Sequence, residues 1–276
     1  MKFDLAVAWR VYPGISKQPL IHANDKLQLV RTCLASFLQS VGDLKVKYYL
    51  ILDGCPPVYE AMIETLFAHQ AYTAVRTDAI GNHRTFALQI DLLTQQQEAE
   101  LVYFAEDDYL YAPHAMKKMV TLMRTGKKVD FATVFYSKDI VQHPIHDHRH
   151  SIQWNADTLW MSDSSTCLTF LTRKTTLLAT KDLLLTYCRG NNDCAIWLIL
   201  TRTHIYNPFK YLRFALAQDK ESWNILKMAV KYSFKYFFGL QRYRLWVAWP
   251  GIGTHLETPT VMEAPKWIAL GKQFSS

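Results

Sequence analysis

"LVYFAEDDYLYAPH", residues 101–114, decides how this chain is read. An apolar and aromatic run leads into Glu106, Asp107 and Asp108, and apolar residues then return. The run has the length and composition of a strand buried on both faces. Adjacent carboxylates repel one another, so three of them at the mouth of a strand need a compensating cation. Oxygen ligands of this kind, beside a polyphosphate, suit Mg2+ or Mn2+. A second use stays open: Asp107 or Asp108 caps the helix before Pro113 while the others are solvated.

The residues before this stretch supply its context. FDLAVAWRV (3–11) and VKYYLILDG (46–54) read as buried strands, and AYTAVRTD (71–78) as a third. Between them, Asn24 or Asp25 can cap a helix whose apolar positions Leu27, Val30, Leu34, Phe37, Leu38 and Val41 keep helical spacing. A short helix is expected around 58–69 and another from Asn82, with Phe86, Ile90 and Leu93 on one side. The order β-α-β-α-β-α-β predicts an α/β fold, a mostly parallel sheet flanked by helices. Right-handed crossovers bring every strand's C-terminal end to one edge, where open sheets bind ligands. Asp53, Asp78 and the acidic triplet all fall on that edge.

Beyond residue 125 the pattern loosens. A helix is expected over 113–125, strands at DFATVFY (130–136) and LTFLTRK (168–174), and a capped helix in NNDCAIWLILTR (191–202). The loop 137–151 carries His143, His146, His148 and His150. Histidine clusters can bind zinc, but the loop holds no Cys, and Pro144 and Arg149 suit a solvent-facing stretch that is plain or touches a ligand.

The totals bound the rest. The chain has 276 residues, half of them hydrophobic, which suits one large domain with an ample core. The start, MKFDLAVAWRVYPG, is expected to be a strand and not a leader, because Asp4 interrupts a short apolar stretch. No apolar run is long enough to span a bilayer. The five cysteines are odd in number and form no C-x-x-C pair, so free thiols and a cytoplasmic setting are expected. Of the net charge of +7, a surplus of six lies in 208–249, where eight Lys and Arg face Asp219 and Glu221. Aromatic residues are interleaved with these cations. The segment reads as a helical C-terminal cover, with contact to an anionic membrane surface as a second use. A nucleic-acid groove would also suit stacked rings and cations, yet no nucleic-acid motif is present.

The stretches YFAEDDYLYAP (103–113) and GNHRTFALQIDLL (81–93) together resemble nucleotide-sugar glycosyltransferases of the GT-A (Rossmann-like) fold. The similarity is to the inverting family 2 and to the N-acetylglucosaminyltransferase I type. That type has Glu-Asp-Asp, an apolar residue and soon a Pro in place of the usual DXD motif. A helix with His-Arg and Ala-Leu precedes it, as His83, Arg84, Ala87 and Leu88 do here. The resemblance covers residues 3–125. It implies one domain over 1–276: a nucleotide-sugar-binding half (1–125), an acceptor half (126–207) and the basic aromatic segment (208–276).

It also implies roles. Asp108 would contact Mn2+ or Mg2+, with Glu106 and Asp107 on the ribose or the metal's waters. Asp53 would hydrogen-bond the base, though before Gly54 it also reads as a turn residue. Arg10 and Tyr12 would line the nucleotide pocket, and Arg84 would face the diphosphate or remain a surface charge. His255, in PGIGTHLETP (250–259), would be an additional metal ligand, with Glu257 beside it. The base that takes the acceptor proton would be Asp193, where the family's Glu-Asp is Asn192-Asp193. Asp193 also suits a helix N-terminus electrostatically. Asp163 is the second candidate and Asp157 the third. The implied reaction is metal-dependent transfer of a hexosyl group from a UDP-sugar to a glycan or lipid-linked acceptor, as in polysaccharide biosynthesis. Two other classes stay open. A nucleotidyltransferase would show a Gly-rich basic loop after the first strand, and RVYPGISKQP (10–19) has one Gly. A catalytically inactive nucleotide- or glycan-binding protein is the other.

Overall fold

The computed structural model describes residues 2–15, 18–239 and 241–274. Ser16 and Lys17 of the loop after the first strand, and Leu240 of the basic segment, lie outside the described residues. The expected alternation is present: β1 (Leu5–Val11), α1 (Lys26–Val41), β2 (Val46–Asp53), α2 (Pro57–Leu66), β3 (Ala71–Thr77), α3 (Gly81–Gln95) and β4 (Leu101–Glu106). Asp25 caps α1, its Oδ1 accepting from the Gln28 N–H at 2.9 Å. After β4 come β5 (Tyr109–Tyr111), α4 (Ala115–Thr125), β6 (Phe131–Thr133) and α5 (Lys138–Gln142). A hairpin of β7 (Ile152–Asn155) and β8 (Thr158–Asp163) leads to β9 (Leu171–Arg173) and α6 (Lys174–Leu184). The chain ends through α7 (Asp193–Thr201), α8 (Pro208–Leu216), α9 (Lys220–Ser233), β10 (Leu245–Trp249), β11 (Gly253–His255) and α10 (Ala264–Lys272).

Nine strands form one sheet in the order β3-β2-β1-β4-β9-β6-β10-β8-β7, and β11 pairs with β5 in a separate ribbon. Among the nine, β8 and β9 run against the rest. The sheet is therefore mostly parallel, with helices on both faces. β1 shows why. Leu5, Val7, Trp9 and Val11 enter the core beneath α1, α2, α4 and α10, while Ala6 and Ala8 enter the core beneath α3, α6, α7 and α9. Trp9 meets Phe37 of α1 edge-on at 4.8 Å. Each large apolar side chain removed from water on these faces contributes about 1.5–3 kcal/mol. α7 is apolar all round, and Ala195 through Thr201 are all buried, as expected of a helix packed on every side.

Three sequence expectations are corrected. The 208–249 segment is not only a helical cover, because its last residues are β10, inserted between β6 and β8. The 137–151 loop holds α5 and a 3-10 turn at Pro144–His146. That turn seats Ile145 in the core and leaves His146 buried, so the stretch is not simply solvent-facing. The acidic strand also stops earlier than expected: β4 ends at Glu106, and Asp107 and Asp108 form the turn into β5. The five cysteines are free.

Candidate functional site

β1 and β4 are parallel neighbours in a register that sets Arg10 opposite Glu106. The two side chains accordingly form an ion pair. Arg10 also donates to the Asn82 side chain, at the start of α3, and Glu106 accepts from the Thr169 hydroxyl at 2.8 Å. Asn82 in turn donates to the Tyr187 hydroxyl at 3.0 Å.

Asp107 points the other way. Its Oδ2 accepts from the Tyr12 N–H at 2.8 Å, and its Oδ1 from Lys26 Nζ at 2.8 Å. Burial works against the Lys26 charge, but the Asp107 carboxylate outweighs it and raises the lysine pKa above its ordinary value. The bond to Asp107 fixes the backbone of Tyr12 while its ring stays 46% exposed. That ring lies over Gly14, where an added Cβ would come within 2.4 Å of Tyr12 Cε1.

Asp108 is met from the far end of the chain. β11 pairs antiparallel with β5, placing His255 opposite Tyr109. Close packing makes this possible: a Cβ at Gly253 would lie 2.6 Å from Val134 Cγ2. The His255 ring stacks on Tyr109 at 4.9 Å. Its Nε2 lies 3.0 Å from Asp108 Oδ2 and its Nδ1 3.6 Å from Glu257 Oε2. Burial disfavours the charge on Asp108, and the His255 charge and hydrogen bond overcome it, bringing the carboxyl down to about 2. His255 moves up against its own burial for the reciprocal reason. Asp108 Oδ1 is buried with no hydrogen-bond partner among the described residues.

His255 and Glu257 also line a cavity of about 770 Å³. Asn192 and Asp193 from the N-terminus of α7, Thr166 and Cys167 from the loop before β9, and Lys220 and Asn224 from α9 share its wall. His143 and His146 line it too. Asp193 accepts from the Cys194 N–H at 2.8 Å. Its charge and that of Glu106 act on two shared neighbours, Cys167 and Tyr187. Burial first, and then the charges of Asp193, Glu106 and Asp108, push the Cys167 thiol well above the ordinary thiol range. Tyr187 is raised by burial and then by Asp193 and Glu106.

The remaining sequence candidates are placed differently. Asp53 is 2% exposed. It accepts from the Thr77 hydroxyl at 2.7 Å, the Ile80 N–H at 2.7 Å and the Gly81 N–H at 2.9 Å, which ties the β3–α3 loop to β2. Arg84 is exposed in the first turn of α3. Asp163 is 4% exposed, does not line the cavity, and bonds the Ser164 N–H at 2.6 Å. Burial raises its carboxyl to about 7. Asp157 is exposed in the turn between β7 and β8, on the opposite wing of the sheet from β1 and β4. Among the described residues no three His, Cys, Asp or Glu side chains converge into a metal-holding group. Sequence reasoning missed Lys26, Asn82, Thr169 and Tyr187. Lys26 left one signal: a lysine in the first turn of a helix, where a cation is disfavoured, has a partner elsewhere.

No family model matches the chain, and no curated protein matches it. Among solved structures it is similar to the glycosyltransferase GlyE of Streptococcus pneumoniae TIGR4, at 12% identity and a TM-score of 0.45, over 98% of this chain and 62% of that one. It is also similar to S. aureus TarS 1-349, at 10% identity and a TM-score of 0.44, over 84% and 82% of the two chains. A third similarity is to glucosyl-3-phosphoglycerate synthase from Mycobacterium tuberculosis in complex with Mg2+ and uridine diphosphate. There the identity is 8% and the TM-score 0.37, over 63% of this chain and 57% of that chain. The chain thus spans less than two thirds of the length of the synthase and of GlyE.

Proposed function

We propose that the chain is a GT-A glycosyltransferase that moves a hexosyl group from a UDP-sugar to an acceptor hydroxyl, with inversion and with Mn2+ or Mg2+ bound. The observation that carries this reading is the double engagement of His255. It bonds Asp108 on one side and on the other lines the cavity that contains Asp193.

The residues fit the cation. Asp107 is neutralised by Lys26 and Glu106 by Arg10, whereas Asp108 keeps a buried, unpartnered oxygen. Asp108 and His255 would hold the ion, a hard oxygen and an imidazole nitrogen, leaving room for diphosphate and water. When bound, the ion neutralises the diphosphate as its charge grows. The nucleotide lies over the C-terminal ends of β1, β2 and β4, with the exposed Tyr12 ring stacking on the base. Arg10 and Lys26 set the charge of the acidic turn, and Arg84 faces the diphosphate from the start of α3. The acceptor occupies the cavity. Asp193 takes the proton from its hydroxyl as that oxygen bonds the anomeric carbon, and the bond from that carbon to the diphosphate breaks, releasing the nucleotide diphosphate.

Calorimetric titration of UDP and GDP, with and without Mn2+, tests the reading. The expected result is Mn2+-dependent binding of UDP that Asp108→Ala weakens about 10–100-fold. Equal failure of both nucleotides with metal present rules the reading out.

A further inference from the structure

Large apolar side chains stand exposed on one part of this molecule in unusual density. Along α8, Phe209 is 80% exposed, Leu212 57% and Leu216 75%. Their spacing of three and four residues puts them on one stripe of the helix. The other side of α8 is already covered, with Phe214 2% exposed in the core. The stripe is therefore a second apolar face with no partner among the described residues. Just past α9, Phe234 and Phe238 are 60% and 74% exposed. Tyr206 joins the two groups. Its hydroxyl donates to the Phe237 carbonyl, its ring lies 6.3 Å from Phe237, and Phe237 lies 5.6 Å from Phe234.

The charge around this patch is mostly positive, with Asp147 paired to Lys210 and Arg213 of α8. Lys227, Lys231 and Lys235 recur every four residues along α9 and beyond, and residues 222–239 contain no Asp or Glu. Their ammonium groups sit 5.6, 4.8 and 4.7 Å from the rings of Trp223, Tyr232 and Tyr236. The two carboxylates of the α8–α9 connection, just after Leu216, are engaged: Asp219 caps α9 and Glu221 meets His143.

We propose that this face docks on an anionic lipid bilayer. Exposed apolar side chains in such number on neighbouring elements mark a contact site. The side chains stand out singly, a form that sinks into a fluid interface without a matching pocket. Lys227, Lys231 and Lys235, set over partly buried aromatic rings, reach the lipid phosphates with their ammonium groups. No helix among the described residues is long and apolar enough to cross a membrane, so the contact is peripheral. The proposal is independent of the proposed sugar transfer, because none of these side chains belongs to the site around Asp108 or to the cavity.

The test is co-sedimentation of the full chain with vesicles of phosphatidylcholine alone and of phosphatidylcholine mixed with phosphatidylglycerol. Binding to the mixed vesicles is expected to exceed binding to the neutral ones at least about tenfold and to fall in high salt. Lys231→Glu with Lys235→Glu, and separately Phe209→Ser with Leu216→Ser, are each expected to lower it about tenfold, with unchanged circular dichroism. Absence of vesicle binding, equal binding to neutral vesicles, or indifference to both variant pairs overturns the proposal. A wild-type dimer that Phe209→Ser with Leu216→Ser dissociates, without vesicle binding, assigns the face to a second copy instead and also overturns it.

Discussion

Lys26 and Asp107 form a buried ion pair of 2.8 Å, with side chains only 9% and 10% exposed. Removing one partner of such a pair strands the other charge in a poorly solvated place, which costs about 3–5 kcal/mol. Lys26→Met is therefore expected to lower the urea unfolding free energy by about that amount. Adding Asp107→Leu should recover most of the loss. A single variant with wild-type stability would show that Asp107 is satisfied by the Tyr12 N–H alone.

Asp108 and His255 act as one unit, so their losses should not add. Asp108→Ala and His255→Ala are each expected to weaken Mn2+-dependent UDP binding about 10–100-fold, in line with the loss of a positioned metal contact. The double variant should be little worse than either. Calorimetry of the four proteins reads this, and additive losses would separate the two residues functionally.

Asp193→Asn separates chemistry from donor binding. The substitution keeps the shape of the α7 terminus and removes the carboxylate proposed as proton acceptor. Turnover is expected to fall about 10²–10⁴-fold while UDP affinity stays as in the wild type. A fall in UDP affinity of the same size would place Asp193 on the donor.

Tyr12→Ala should weaken nucleotide binding by about 1–3 kcal/mol, the range of ring-on-base stacking. Stability should barely change, because the ring is exposed and the residue is held through its backbone N–H. Equal affinity for UDP and for its ribose diphosphate in the wild type would show that the ring does not touch the base.

Acid stability reflects two opposing groups. Burial raises Asp163 to about 7, so the folded chain binds a proton there that the unfolded chain releases above its ordinary value of 3.8. Stability from this group is present below that value and lost as pH rises to about 7. Burial and the neighbouring histidines lower His146 to about 4. There the unfolded chain binds the extra proton, and stability rises with pH between about 4 and 6.5. Asp163→Asn removes the falling contribution. The variant should be more stable than the wild type at pH 7 and should lose stability more steeply on acidification, as read by thermal unfolding across pH 4–7.5. An unchanged profile would mean that Asp163 is ionised in the fold at neutral pH.

The first half of the fold was legible because local pattern and tertiary role agree there. The runs in β1, β2 and β4 are apolar on both faces because helices cover both faces, and Asp25 announces α1. The second half was legible only in part. β6 and β9 fall within the expected strands 130–136 and 168–174, but with three residues each they fill less than half of those runs. Nothing in LTFLTRK reveals that its strand runs antiparallel between β4 and β6. β10 was hidden inside a basic aromatic segment, although LWVAW is buried at every position but the last. In the site, position at a strand end marked the acidic triplet, and the resemblance to GT-A enzymes marked His255. Neither could show that Glu106, Asp107 and Asp108 turn toward three different cations. That depends on register and on a helix start, where Lys26 resembles any surface lysine.

The pairing of β11 with β5 joins residues 147 positions apart at His255 and Asp108. A ribosome reaches the Glu106–Asp108 turn long before it has made the ribbon that completes it. At that stage β6 and β8 also lack β10, the strand that lies between them. Closing so long a loop has an entropic cost, which the local βα units of the first half avoid. The nascent chain can therefore hold a formed first-half sheet whose acidic turn still lacks His255. The synthesis of β11, and not the folding of the first half, times the completion of that turn.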